Sequence, residues 1–149
     1  MSFQLTVAGF AEGSTIPRRH TCEGEDLSPA LKWSGAPAET RGFALIMDDP
    51  DAPAGTWNHW LLYDIPAATS ELPEAAKLGL SGTNDFGRSG YGGPCPPRGH
   101  GPHRYFFKLM ALKVSSLGIP AGAKRADLDR TLKDQVLAEA RYMGRYERK

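Results

Sequence analysis

The sequence predicts a mostly β protein made of short strands joined by many turns. Glycine and proline together are close to a fifth of the 149 residues, which favours turns and argues against a helical bundle. Apolar residues come in short runs separated by turn residues, and no repeat or linker divides the chain. Because this length suits one core, we expect residues 1–149 to form a single domain.

Four apolar segments predict the main strands. Phe3, Leu5 and Val7 alternate with polar residues, which places them on one face of a first strand. The continuous apolar run 42–47 is typical of a strand buried on both faces, and the runs 59–65 and 105–112 predict two more strands. The glycine- and proline-rich stretch 83–102 is long for a loop, and such loops are usually functional or disordered.

One helix is expected, over residues 125–143. Leu128, Leu132, Val136 and Ala140 recur every four residues, and Gly144 is a suitable C-terminal stop. We expect the apolar stripe to cover the domain's own core rather than to dock a partner.

Composition and the N-terminal sequence narrow the class of protein. A net charge of +1 provides no global field for nucleic acid or an anionic membrane surface, so we expect no nucleic-acid partner. No signal peptide and no apolar run of the ~20 residues needed to cross a bilayer are recognisable, which predicts a cytoplasmic protein with no membrane span.

The two cysteines, Cys22 and Cys95, do not form a CxxC motif. In a reducing compartment we expect two free thiols, with a bridge between their loops left open. We expect no cofactor.

The first candidate site segment surrounds Pro50. In an extended segment Asp49 and Asp51 share a face, and two close carboxylates need a cation, a shared proton or a histidine beside them. A polar turn with capping aspartates is the more common role of this motif taken alone.

The other candidates open two of the apolar runs. His59 lies a short turn after Asp51, so an Asp–His contact is geometrically easy, although a histidine beside tryptophans is more often a core residue. His103 and Tyr105 are two residues apart, so they share a face while Arg104 takes the other. Tyr105 alone would be read as a core aromatic.

Together these groups indicate an oxyanion site. Protonated histidines and a tyrosine hydroxyl donate hydrogen bonds to phosphate, sulfate or carboxylate. The aspartates would orient the histidines and keep them charged.

These motifs together resemble the phosphatidylethanolamine-binding proteins, most closely their bacterial and archaeal Raf-kinase-inhibitor-like branch. The resemblance spans nearly the whole chain. Its residues are the block 21–33, Asp49 to Pro53, His59, Asn84 to Gly87, Gly93, Pro96 and Pro97, Gly101, His103 to Tyr105, and the segment 136–140.

The resemblance implies a Greek-key sandwich of two antiparallel sheets with a few short peripheral helices, one of them near the C-terminus. It implies a small pocket at one end for phosphate-like or phosphorylated ligands, and homodimers in several bacterial members. Carried over by position, its lining is Asp49, Asp51, His59, Pro97, His103 and Tyr105, with Gly93 and Pro96 at the rim. The short Asp51–His59 connection and brief C-terminal tail depart from the eukaryotic pattern, so kinase inhibition is not carried over.

The leading hypothesis is therefore a binding protein for a small anion or phosphorylated ligand, with modulation of a protein partner as an extension. One alternative is an enzyme, either a metal-assisted hydrolase using the Asp/His cluster or one using Cys95 as nucleophile. The family resemblance argues against the metal. The other alternative is a protease or kinase inhibitor acting through the rim loops at 90–101.

Overall fold

The computed structural model describes residues 2–149 and contains two antiparallel sheets and one α-helix. The strands are β1 (Gln4–Val7), β2 (Leu31–Ser34), β3 (Gly42–Asp49), β4 (Trp57–Pro66), β5 (Glu71–Leu72), β6 (Leu80–Ser81), β7 (His103–Leu112) and β8 (Val136–Tyr146). The helix is α1 (Arg125–Leu132), and a 3₁₀ turn covers Arg18–His20. The small sheet has the order β1-β2-β5 and the large sheet β6-β4-β3-β7-β8. The predicted mostly β class with two antiparallel sheets is confirmed.

The main core lies between the two sheets. In β1 only Leu5 and Val7 face inward, as their alternation predicts, and Trp33 of β2 packs edge-to-face on Phe43 of β3 with ring centroids 5.4 Å apart. Tyr105 and the other inward side chains of β7 complete this layer.

A second core covers the outer face of the large sheet. Ala44 and Ile46 of β3 pack here with Leu128 and Leu132 of α1. All eight residues of β3 are buried, which confirms the prediction for the run 42–47.

The predicted helix over 125–143 is wrong beyond Leu132. Asp134 has a positive φ of 66°, and β8 then pairs with β7 from Val136 to Tyr146. A spacing of four residues also fits a strand, because it is two strand repeats on the same face. Gly144 lies within β8 rather than ending a helix. Glycine fits this position because a Cβ there would come within 2.5 Å of the Phe10 ring.

The expectation of two free thiols is also wrong. Cys22 and Cys95 form a disulfide that joins positions 73 residues apart. The Cys22 N–H donates to the Pro94 carbonyl at 3.1 Å, so the two loops also meet through the backbone. Among residues 2–149, no helix is long and apolar enough to cross a membrane.

Candidate ligand pocket

A cavity of about 210 Å³ opens at one end of the large sheet. The end of β3 and the starts of β4 and β7 meet there, because β3 runs antiparallel to both neighbours. The lining residues are Asp49, Ala52, Pro53, Trp57, His59, Phe86, Cys95, Pro96, Pro97, His103 and Tyr105. Six of the eight residues named from the sequence therefore lie around one space, and Asp51 and Gly93 lie outside it.

Asp49 and His103 form a buried pair at the cavity wall. The His103 Nδ1–H donates to Asp49 Oδ2 at 2.7 Å, and the two side chains are only 2% and 4% exposed. On its other side His103 Nε2 lies 2.6 Å from Nδ1 of His100, which is exposed. This contact occupies Nε2 of His103, whichever of the two rings donates. The carboxylate thus orients His103, as the sequence predicts.

His59 is fixed by a backbone carbonyl rather than by an aspartate. Its Nδ1–H donates to the Gly92 oxygen at 2.7 Å, because a carbonyl only accepts. The side chain is buried, and burial lowers the pKa of His59 despite the carbonyl and the nearby Asp49 carboxylate. The expectation that both histidines are kept charged is therefore wrong for His59, because its burial favours the neutral ring.

Tyr105 and Trp57 line the cavity, and each carries a buried donor that makes no hydrogen bond within residues 2–149: the Tyr105 hydroxyl and the Trp57 Nε1–H. The Tyr105 side chain is fully buried, and its hydroxyl makes no hydrogen bond of ordinary geometry within residues 2–149. Burial raises the pKa of the hydroxyl most, and the Asp49 carboxylate, which is close enough to attract the hydroxyl proton, raises it further, so the hydroxyl stays protonated. A buried hydroxyl without a partner costs free energy, so a ligand that accepts its proton would recover that cost.

Asp51 does not share the face of Asp49. β3 ends at Asp49, so Asp51 lies in the following turn, where strand alternation no longer applies. Its carboxylate accepts from Arg104 Nε at 2.9 Å and Nη2 at 2.8 Å, and from the Arg104 backbone N–H at 2.9 Å. This pairing lowers the pKa of Asp51 to about 2. Asp51 therefore anchors the turn to β7 outside the cavity, and the predicted face-sharing is wrong.

Gly93 supports the pocket loop from behind. Its N–H donates to Asp26 Oδ1 at 2.8 Å, and a Cβ at this position would lie 2.2 Å from the His20 carbonyl oxygen. Only glycine allows this approach. The Tyr91 hydroxyl donates to the same His20 carbonyl at 2.6 Å. The loop that carries Pro96 is thus held by hydrogen bonds as well as by the disulfide.

Sequence reasoning missed the aromatic side of the pocket. Phe86 contacts Trp57 and His59 edge-to-face, with ring centroids 5.5 and 5.4 Å away. Asn84 holds the turn that carries Phe86, since its Oδ1 accepts from the Phe86 N–H at 3.0 Å. The motif from Asn84 to Gly87 was recognisable, but no pattern in it indicates that Phe86 reaches a site built from distant strands.

The structure narrows the enzymatic alternatives. Cys95 is in a disulfide, so the hypothesis of a Cys95 thiolate nucleophile is wrong for this structure. The Asp/His cluster suggested as a metal site consists of Asp49, Asp51, His59 and His103. These four do not form one ligand set, because Asp51 is paired with Arg104 and the Nδ1 atoms of His59 and His103 donate to other acceptors. Within residues 2–149 no group of three or more His, Cys, Asp or Glu side chains has the geometry of a metal site.

Two packed sheets with a preformed, mostly apolar pocket that contains a few polar groups at one end of the large sheet are typical of a binding-protein fold. The family model "Phosphatidylethanolamine-binding protein" matches residues 6–147. The chain belongs to the phosphatidylethanolamine-binding protein family, which confirms the resemblance.

Relatives from bacteria and archaea cover most of the chain. A UPF0098 protein of Aquifex aeolicus is 53% identical over 146 residues, covering 93% of this chain and 85% of the relative. The UPF0098 protein YbcL of Escherichia coli is 37% identical over 161 residues, covering 98% and 88%.

Two crystal structures have the same fold. A homologue of the phosphatidylethanolamine-binding proteins from Chlamydia trachomatis matches with a TM-score of 0.93 at 36% identity, covering 99% of each chain. E. coli YbcL, described as a new member of the mammalian family, matches with a TM-score of 0.92 at 36% identity and the same coverage.

Proposed function

We propose that the protein binds a small oxyanion, as a free phosphate-like ion or as the phosphorylated head of a larger molecule, in the pocket between β3, β4 and β7. The ligand would bond to Tyr105 and His59, and the ring of His103, whose nitrogens are held by Asp49 and His100, would form the adjacent wall. Pro96 and Pro97 would form one wall, and Gly93 would support it without touching the ligand.

One observation carries the proposal: Tyr105 lines the cavity, and its buried hydroxyl lacks a partner within residues 2–149. Buried polar groups in folded proteins are almost always hydrogen-bonded, and exceptions need a reason. An oxyanion in the cavity supplies that partner, because each of its oxygens accepts hydrogen bonds.

The size of the cavity limits the ligand. Pockets for drug-sized ligands enclose roughly 300–1,000 Å³, and this cavity encloses about 210 Å³. It suits an ion or a head group, with any attached group leaving across the apolar side formed by Phe86, Trp57 and Pro53.

Titration with inorganic phosphate and with phosphoethanolamine tests the proposal. We expect binding heat in calorimetry, and shifts of the imidazole NMR signals of His59 and His103. His20 is an internal control: it is buried and its Nδ1 contacts the Leu27 carbonyl at 2.8 Å, but it does not line the cavity. Absence of heat with both compounds, together with unmoved signals of His59 and His103, would refute the proposal.

A protein partner at the rim loops, a homodimer and a cytoplasmic location stay predictions from the sequence. The disulfide argues against the predicted cytoplasmic location, because cytosolic disulfides are rare outside hyperthermophiles.

A further inference from the structure

The hydrogen-bonding atoms around the cavity bear on the protonation state of its ligand. Resting on the proposed function, we propose that the pocket selects an oxyanion that carries a single negative charge and at least one proton, and that His59 is the residue that recognises this proton. The selected class is then a singly charged phosphate monoester or dihydrogen phosphate, in preference to sulfate or a sulfate ester.

The first step is that the imidazoles offer the ligand no proton in their neutral forms. The Nδ1–H of His59 is used by the Gly92 carbonyl, and that of His103 by Asp49. His103 Nε2 is occupied by His100 at 2.6 Å. Among the residues that line the cavity, the buried donors without a partner within residues 2–149 are the Tyr105 hydroxyl and the Trp57 Nε1–H.

The second step is that His59 presents an acceptor. With the proton on Nδ1, its Nε2 carries a lone pair, and this atom makes no hydrogen bond within residues 2–149. Burial lowers the pKa of His59, which favours the neutral ring. An oxyanion without a proton would place an oxygen lone pair against the lone pair of Nε2, whereas a P–OH group donates to it.

The third step is the charge of the wall. Asp49 contributes a buried carboxylate, and neither lysine nor arginine lines the cavity. Arg104 is neutralised by Asp51, and Arg148 lies outside the lining with its Nε donating to the Pro96 carbonyl at 2.7 Å. The charged and titratable groups of the wall are thus Asp49, His59, His103 and Tyr105. Those packed behind or beside it are His100, the Asp51–Arg104 pair, Asp26 behind Gly93, and Arg148. Because a second negative charge on the ligand would face Asp49 in a low-dielectric wall, the singly charged form is favoured.

Methyl phosphate and methyl sulfate distinguish recognition of the ligand's proton from recognition of its shape. They have nearly the same shape, but a phosphate monoester loses its second proton near pH 6, whereas a sulfate ester is a single anion with no proton over this range. Calorimetry at pH 6 and pH 8, in buffers of different ionisation enthalpy, measures affinity and proton uptake together.

We expect methyl phosphate to bind at pH 8 with uptake of about one proton per ligand. Its apparent affinity falls about 50-fold from pH 6 to pH 8, because the protonated fraction falls from a half to about one in a hundred. Methyl sulfate is expected to bind at least about tenfold more weakly than methyl phosphate at pH 6, since a site polar group left unpaired lowers affinity.

The variant His59→Asn tests the residue. Asparagine places an N–H where Nδ1 stood, so the donor to Gly92 is kept while the acceptor at Nε2 is removed. We expect methyl phosphate to lose about tenfold in affinity at pH 6 and methyl sulfate to be nearly unchanged, so that the preference disappears. His20→Asn is the matched control, because His20 is also buried and bound to a carbonyl through Nδ1 but lies outside the cavity, and it should keep the preference.

The outcomes distinguish the two proposals. Methyl phosphate binding at pH 8 without proton uptake, or equal affinity for the two esters in wild type, overturns the selection and leaves the anion pocket standing. No binding of either ester at either pH overturns both. Should His59→Asn fail to fold, the proton uptake and the ester preference of the wild-type protein still decide the inference.

Discussion

The hydroxyl of Tyr105 gives the sharpest test of the pocket, because its removal should stabilise the fold and weaken binding at the same time. Tyr105 is fully buried and its hydroxyl has no partner within residues 2–149. Leaving a buried polar group unpaired costs about 1–3 kcal/mol. The substitution Tyr105→Phe removes that group and keeps the ring, so we expect the free energy of unfolding to rise by about 1 kcal/mol.

Binding should change in the opposite direction. A hydrogen bond to a charged group contributes about 1.5–3 kcal/mol, and 1.4 kcal/mol corresponds to about tenfold in Kd. We therefore expect Tyr105→Phe to weaken phosphate binding by about tenfold or more. Native proteins often keep such unfavourable groups where function needs them.

Tyr63 is the matched control. It is also fully buried, but its hydroxyl donates to the Pro120 carbonyl at 2.5 Å and accepts from the Ala123 N–H at 3.3 Å, on the opposite face of the large sheet. Tyr63→Phe should lower the free energy of unfolding by about 1–2 kcal/mol, because it leaves these groups without a partner, and should leave phosphate binding unchanged.

Urea unfolding with the disulfide intact, and calorimetry with phosphate, measure both effects. If Tyr105→Phe is destabilised as much as Tyr63→Phe, the Tyr105 hydroxyl has a partner in the fold and the reasoning fails. If its stability rises but its affinity for phosphate is unchanged, the hydroxyl does not contact the anion.

Two further predictions concern the supports of the pocket. Arg104 lowers the pKa of Asp51 to about 2, so the stabilising effect of this pair is complete above the unfolded value near 3.9 and is lost as the pH falls towards 2. Acid unfolding of Asp51→Asn should lack this part of the pH dependence. An unchanged profile would contradict the assignment. The disulfide closes a loop of 73 residues, so Cys22→Ser should lower the free energy of unfolding by about 4 kcal/mol in the chain-entropy view. The variant should also weaken phosphate binding, because Cys95 lines the cavity. Equal phosphate affinity with and without the bridge would show that hydrogen bonds alone hold the loop.

Local patterns determined most of the sheet. The alternation from Phe3 to Val7 and the apolar run 42–47 each predict a strand with the observed burial, because the period of side chains along a strand depends only on backbone geometry. His103 and Tyr105 share a face for the same reason. Motifs that are specific as a set also named six of the residues that line the cavity, but not its aromatic side.

Tertiary structure decided the rest. The segment after Leu132 fits a helix and a strand equally by its spacing, and pairing with β7 made it β8. The Asp51 carboxylate pairs with Arg104 because β3 ends at Asp49, so Asp51 lies in a turn and not in the extended segment expected from the sequence. The charge state of His59 depends on burial, and the unpaired hydroxyl of Tyr105 depends on what surrounds it in space. Spacing along the chain determines which face a residue takes, whereas desolvation and hydrogen-bond partners are properties of residues brought together from distant strands.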